Sequence, residues 1–423
     1  SVGELEKYLV KEEGTSKGKL VLGTVYGDVH DIGKNLVKTI FQNNGYSVYD
    51  LGKQVPLQKF LEKIDEVKPD AIGLSALLVS TSKQMKFFVE HARKNNMTVP
   101  ILCGGAAINS NYINRIAKEG GIYDPGVFYC NTMFEGLKTM DTLISDDKPK
   151  LLEEWKTKLE NWKERTSVDI DPSTLPRSNI EPVTPPTPKI IGEPIRLKLD
   201  QINMDEVWTM IDKKSLFKLS WGLRGKAGSE SEEAHEQLLT EWKIRLIRDK
   251  LIEPEIVYGY FKCQNNGQKL LVENPTGDDV EFDFPRSTRP EHLCLTDYFG
   301  DDDIVAFQSV TVGTKVADIL EKWNEDDKYS DAYYLHGLAV ELAEALAQWV
   351  NEKIKSELEL TTGGLRYSWG FPSCPDVSQH HLVWKLLQPE KSGMTITESG
   401  QIIPEQSTAA IILHHPKAQY FVI

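Results

Sequence analysis

Lys19-Leu20-Val21-Leu22-Gly23-Thr24-Val25 runs directly into Tyr26-Gly27-Asp28-Val29-His30-Asp31-Ile32-Gly33-Lys34-Asn35. A short apolar run breaks at glycine and polar residues and a helical pattern resumes at once, so this is a strand, a loop and the start of a helix. The beat recurs. Ser47 to Leu51, Ala71 to Leu74, Pro100 to Leu102 and Val127 to Tyr129 are further short runs, each beside an amphipathic segment. Strands alternating with helices predict a doubly wound parallel sheet.

Five strands fit a flavodoxin-like α/β order, in which ligands bind beyond the carboxyl ends of the strands. This domain is expected over residues 1–146. Residues 147–190 then read as a helix, Leu151 to Arg165, and a Pro-rich linker. The linker holds Asp171-Pro172-Ser173-Thr174-Leu175-Pro176 and a Pro182 to Pro188 run with four prolines, a composition that resists helix and sheet alike. From 191 to 423 the regular beat is lost. Helical periodicity marks Ser231 to Lys250 and Ala332 to Leu358, and strands are expected at Glu255 to Phe261, Lys269 to Glu273, Ile304 to Val312 and Ala409 to His414. This predicts an α+β domain with an antiparallel sheet.

Composition narrows the function classes. The 423 residues are 40% hydrophobic and 26% charged, as in a globular protein. Lys plus Arg number 49 against 63 Asp plus Glu, and the formal charge of −14 argues against nucleic acid or an anionic membrane as partner. No apolar run approaches the roughly 20 residues that span a bilayer. Five cysteines without a CxxC pair suggest neither a disulfide framework nor a zinc ribbon, and a cytoplasmic setting is expected. The start at Ser1-Val2-Gly3-Glu4 has no signal-peptide profile and is expected of a fragment or a processed chain.

Gly27 to Asn35 admits a plain reading: Asp28 or Asp31 caps the following helix and Gly33 packs closely. Two further strand ends argue for more. Ser75-Ala76-Leu77 ends one run and Gly104-Gly105 the next, so His, Ser and Gly-Gly share one edge of the sheet. In this order and at these intervals, DxHxxG…SxL…GG resembles the cobalamin-binding domain of base-off, histidine-on B12 enzymes.

The resemblance implies that His30 is the lower ligand of cobalt, replacing the cofactor's own dimethylbenzimidazole. Small residues at Ser75, Gly104 and Gly105 would leave a slot for the displaced nucleotide tail. Gly27, Val29, Asp31, Gly33 and Leu77 would line the same site. Asp28 would bond the ring nitrogen of His30 that faces away from the metal, and Thr81, where the family carries a serine, would continue that relay. Val79 stands where better-known members have threonine, so a side-chain hydrogen bond to the corrin is lost there. Met133 aligns with a small corrin-contacting residue.

Gly363-Gly364-Leu365-Arg366-Tyr367-Ser368-Trp369-Gly370-Phe371-Pro372-Ser373-Cys374-Pro375-Asp376 is too rich in Gly, Pro and aromatics for a helix or a central strand. Read alone it is a rigid loop packed by its aromatics. The string resembles the RYSxGYPxCPD segment of the activation domain of cobalamin-dependent methionine synthases. Val257-Tyr258-Gly259-Tyr260-Phe261, Phe284-Pro285-Arg286, Leu295-Thr296-Asp297-Tyr298-Phe299 and Ala343-Glu344-Ala345 add matches. By that resemblance Asp212, Arg366 and Tyr420, with Phe421 beside it, bind S-adenosylmethionine: Arg366 forks onto the carboxylate, Asp212 accepts from the ammonium, and aromatic faces favour the sulfonium.

Together the two resemblances imply a methyltransferase fragment or subunit that holds methylcobalamin and restores oxidised cobalt by reductive methylation from S-adenosylmethionine. The electron would come from a flavodoxin or a flavoprotein reductase. Nothing in the chain resembles the homocysteine or folate barrel, so those modules are expected in cis or on separate chains. Leu5 to Glu13 reads as the remnant of the helical bundle that caps the methyl face. The rival readings are a non-catalytic corrinoid carrier or cobalamin sensor, and a signalling module phosphorylated at Asp28.

Overall fold

The computed structural model describes residues 16–106, 108–163, 174–223, 230–326 and 328–423. Leu5 to Glu13 and the first residues of the expected linker lie outside them. The chain divides into two compact units, Val2–Val168 and Asp169–Ile423.

In the first unit β1 (Lys19–Thr24) is buried at every position after Lys19, as a central parallel strand must be. It pairs in parallel with β2 (Ser47–Asp50) and β3 (Ala71–Ser75), and β4 (Ile101–Gly104) and β5 (Val127–Tyr129) extend the sheet. The order β2–β1–β3–β4–β5 is the flavodoxin-like one. Alternation along β1 feeds two cores. Val21 packs with Phe60 of α2 (Leu57–Val67), Met85 and Phe88 of α3 (Val79–Lys94) and Ile113 of α4 (Ser110–Lys118). Leu20 and Leu22 pack on the other face with Phe41 of α1 (Ile32–Asn43) and Met140 of α5 (Met133–Leu143).

Within residues 147–190 the helix belongs to the first unit and the proline run to the second. Helix α6 (Lys148–Asn161) packs on the first unit: Trp155 lies 5.6 Å from the Phe128 ring and donates to Val127 O, and Leu159 is buried. The proline run is anchored on the second unit, with Pro185 and Pro188 buried. There His414 Nε2 lies 2.7 Å from Val183 O, His415 Nε2 lies 2.9 Å from Glu181 O, and Ser178 Oγ donates to the buried Asp297 at 2.7 Å. Backbone carbonyls in a run that builds no ladder take side-chain donors instead.

The second unit is an antiparallel sheet. Its path is β11 (Leu365–Ser368), β14 (Ser407–Leu413), β10 (Asp303–Thr311), β7 (Glu255–Asn266), β8 (Lys269–Val272) and β9 (Val280–Asp283), with β6 (Ile195–Lys198) also on β7. All nine residues of β10 are buried, in keeping with its central place. One face carries α10 (Tyr329–Glu357), whose Leu335, Leu338, Leu342, Leu346 and Val350 recur at helical spacing, and α8 (Glu230–Arg248) through Trp242 and Leu246. The other face is aromatic, with Phe282, Phe307 and Trp369 stacked near α11 (His380–Leu387). The start of the Arg366 string thus forms an edge strand, where Gly and Pro just beyond it interrupt no ladder. Among the described residues no helix is long and apolar enough to cross a membrane.

Candidate functional site

The loop after β1 is built around one carboxylate. Gly27 turns the chain with φ +79°, and Asp28 N donates back to Val25 O, so the Asp28 side chain points inward and is fully buried. Its Oδ1 accepts from His30 N at 3.1 Å and lies 2.8 Å from His30 Nδ1. Its Oδ2 accepts from Thr81 Oγ1 at 2.6 Å and from Leu77 N at 2.8 Å. Burial alone would push the Asp28 carboxyl up, but the His30 and Thr81 bonds, the His30 charge and the Leu77 amide hold it below its ordinary value. A carboxylate only accepts, so Nδ1 of His30 carries the proton in this contact.

The helix-cap reading is overturned. Asp31 precedes α1 without a side-chain cap bond, and Asp28 spends its oxygens on His30, Thr81 and Leu77. The phospho-acceptor reading fails with it, because Asp28 has no exposed surface. Gly33 does not pack closely either: a Cβ there would meet nothing within 4 Å. A glycine that neither backbone strain nor neighbours require suits a surface against which something else lies.

Ser75 and Gly104 are register partners at the ends of β3 and β4. Gly105, at φ +128°, has room for no side chain, since a Cβ would fall 1.8 Å from Ala76 O. Gly104 is tight as well, with a Cβ 3.3 Å from Cys130 O. Leu77 and Val79 project apolar surface, 37% and 72% exposed, while Val29 is buried. Met133 is half-buried at the head of α5, which follows the edge strand β5 three places from β1. The fold therefore brings His30, Asp28, Thr81 and Leu77 to one point, with Ser75, Gly104 and Gly105 next along the sheet, while Met133 heads α5, the helix that packs against α1.

Lys34 was legible only as part of the motif string. Its ammonium is buried and bonds Asp50 Oδ1 and Asn35 Oδ1, each at 2.6 Å, tying the first turn of α1 to the end of β2. A lysine in a first helical turn opposes the helix dipole, which was the available signal.

In the second unit Arg366 Nη2 donates to Glu344 Oε2 at 2.6 Å, and Nη1 is buried with no partner among the described residues. Tyr420 OH donates to Arg366 O at 3.1 Å, and its ring lies 5.1 Å from Tyr367 and 6.2 Å from Phe371. Phe421 follows, half-buried. Asp212 is an exposed helix cap: Oδ1 accepts from Lys214 N and Ser215 N, and Oδ2 from Ser215 Oγ at 2.8 Å. The Ser215 bonds foremost hold its carboxyl low. The carboxylate paired with Arg366 is Glu344, to which the sequence assigned no role. An orphaned guanidinium nitrogen beside a carboxylate and an exposed tyrosine suits a zwitterionic amino acid end.

Comparison with known proteins agrees with this geometry. Residues 203–423 match the model of the vitamin B12 dependent methionine synthase activation domain, and residues 18–138 match that of the B12 binding domain. The methionine synthases of Mycobacterium tuberculosis and Mycobacterium leprae are each 32% identical to the chain, over 484 and 494 aligned residues, covering 100% of it and 40% of their own length. A solved structure of the MetH reactivation domain bound to AdoHcy is 21% identical, with TM-score 0.49, covering 57% of this chain and 83% of that one. The chain spans about 40% of the length of the curated relatives it matches. Carrying the activation domain behind a B12 binding domain, the chain belongs to the vitamin B12 dependent methionine synthase family.

Proposed function

We propose that the chain binds cobalamin in the base-off form with His30 as lower ligand, binds S-adenosylmethionine at Arg366, and serves the reactivation step of methionine synthase. The observation that carries the reading is the doubly engaged Asp28 carboxylate, which orients the His30 ring with Nδ1 turned toward it. When bound, the corrin supplies the cobalt that accepts an electron and a methyl group. The protein's share is positional. Thr81 and the Leu77 amide hold Asp28 ionised, Asp28 holds the proton on His30 Nδ1, and Gly33 keeps a side chain out of the open space beside it.

In the second unit Arg366 Nη1 would take the carboxylate of S-adenosylmethionine, Glu344 its ammonium, and Tyr420 and Phe371 would face the sulfonium. The electron donor in this reading is a flavodoxin or a flavoprotein reductase, and the homocysteine and folate modules act from elsewhere in the same protein or from separate chains. A cytoplasmic setting suits the five free cysteines.

The test is the visible spectrum of the purified chain with hydroxocobalamin. The unaltered protein should give an imidazole-ligated spectrum, and His30→Gly should retain corrinoid but lose that signature. An unchanged spectrum in His30→Gly would remove His30 from the metal.

A further inference from the structure

Lys34 stands four residues after His30, on the first turn of α1, and is only 2% exposed. Its ammonium donates to Asp50 Oδ1 and to Asn35 Oδ1, each at 2.6 Å. Taking an ammonium out of water is costly, and an apolar side chain of similar volume would fill the place without that cost. A buried pair of this kind can instead fix one conformation of what it joins.

What it joins is the segment after β2. Asp50 Oδ1 accepts from Gly52 N at 2.9 Å as well as from Lys34, so the ammonium holds the carboxylate that sets the turn at Gly52, φ +84°. Gly52 O accepts from Thr24 N at 3.0 Å, and Val55 N donates to Thr24 O at 2.9 Å. Between them Gln54, at φ +54°, donates its N–H to Asp28 O at 3.0 Å. Thr24 Oγ1 in turn donates to His30 O at 3.3 Å. The backbone of the His30 loop is thus gripped at Asp28 O and His30 O by residues that the Gly52 turn holds in place. A residue other than glycine at positive φ keeps that conformation only while its surroundings impose it, so releasing the turn releases Gln54.

Charge alone does not distinguish Lys34. Lys38 Nζ lies 3.4 Å from Asp50 Oδ2 and its side chain is 37% exposed, so it offers the same carboxylate the same charge from the solvent side. Burial raises the Asp50 carboxyl, and the Lys34 charge and bond, the Gly52 amide and the Lys38 charge bring it below its ordinary value. The difference is geometric: Lys34 holds Oδ1, the oxygen that takes Gly52 N, and holds it from inside.

We propose that Lys34 is a positioning residue for the His30 ligand, which through Asp50, Gly52 and Gln54 keeps the Asp28–His30 loop in its receiving orientation before cobalamin arrives. This rests on the reading of His30 as the lower ligand. A loop already in its bound conformation spares the ordering cost on binding, and apparent affinity falls with the fraction of molecules in that conformation.

The experiment compares Lys34→Met with Lys38→Met in the full chain. Hydroxocobalamin binding is read by absorbance. The His30 tautomer is read by nitrogen-15 NMR of histidine-labelled protein without cobalamin, at alkaline pH where the ring is neutral, its signal assigned by loss in His30→Gly. In the unaltered chain and in Lys38→Met, His30 should hold the Nδ1–H form and the affinities should agree within about twofold, since an exposed charge contributes little. In Lys34→Met both tautomers should appear and affinity should fall about tenfold, as expected if about a tenth of the molecules keep the competent loop. Should Lys34→Met fail to fold, Lys34→Met combined with Asp50→Leu leaves no charge of the pair behind and carries the same expectation. Tautomer and affinity unchanged in the folded variant, even with a lower thermal midpoint, would make Lys34 merely structural and overturn the proposal. An equal fall in Lys34→Met and Lys38→Met would overturn it in favour of charge alone. If the unaltered chain binds no hydroxocobalamin, the reading of His30 fails and the proposal with it, whereas normal binding that Lys34→Met leaves intact sinks the proposal alone.

Discussion

Thr81, on the first turn of α3, donates its hydroxyl to Asp28 Oδ2 at 2.6 Å across 53 residues of chain, while the other oxygen of that carboxylate lies 2.8 Å from His30 Nδ1. Two loops from neighbouring strands thereby meet at one buried anion. The arrangement fixes a tautomer that a loop histidine in water would not hold.

Replacing Thr81 by Val keeps the shape and removes the donor. The bond stabilises the ionised carboxylate, so its loss should raise the Asp28 pKa. In cobalamin-loaded protein, imidazole ligation should then be lost at a higher pH than in the unaltered chain, as read from the visible spectrum during acid titration. Denaturant unfolding should show a cost of about 1.5–3 kcal/mol, typical of a hydrogen bond to a charged group. A coincident titration would place Thr81 outside the relay.

Two glycines of the same site should part company. Gly105→Ala drives a methyl into Ala76 O at a positive φ and should cost about 3 kcal/mol or more, or prevent folding. Gly33→Ala meets open space on a helix and should leave thermal stability unchanged or raise it by up to about 1 kcal/mol. If cobalamin lies against Gly33, that stable variant should nonetheless take up less corrinoid, measured by absorbance after gel filtration.

Arg366→Ala should weaken S-adenosylmethionine binding by about 1.5–3 kcal/mol, the loss expected for a charge-assisted bond. Calorimetry reads it directly. Affinity equal to that of the unaltered chain would remove Arg366 from the site and leave its buried Nη1 without explanation.

His380 supplies a pH test of the second unit. Its ring is buried, with Nδ1 2.6 Å from Gly400 O, and burial pushes its pKa down to about 4. The unfolded chain takes up the proton near pH 6.5 and the folded one does not until about 4. Stability is therefore lost as pH falls through that window, by an amount on the order of 3 kcal/mol. His380→Gln should flatten the difference in urea midpoint between pH 7 and pH 4 relative to the unaltered protein. Parallel pH dependences would contradict the assignment.

The strands of the first unit were legible because parallel strands buried on both faces leave dense apolar runs, as Leu20 to Leu22 do. Strand ends were less so: in the second unit β7 continues to Asn266, past the Phe261 expected, because pairing with β8 and not side-chain character carries it on. The Asp28–His30–Thr81 relay was readable as a motif, and in the structure Asp28 Oδ1 lies 2.8 Å from His30 Nδ1 and Asp28 Oδ2 accepts from Thr81 Oγ1 at 2.6 Å. Glu344 carried no such signal, since a glutamate on a long helix is usually a solvated one. The contacts of the proline run were hidden for a similar reason. Proline content reveals that a run cannot form a ladder, but not that His414 and His415 will take its carbonyls.

By itself the sequence determined the alternation of strand and helix, the His30 loop at a strand end and the Arg366 string, since periodicity and local composition act over a few residues. Tertiary structure alone decided which polar groups meet: Thr81 with Asp28, and Glu344 with Arg366. Those pairings join residues 53 and 22 positions apart, and electrostatic and hydrogen-bond energies depend on distance in space, which the order of residues along a chain does not encode.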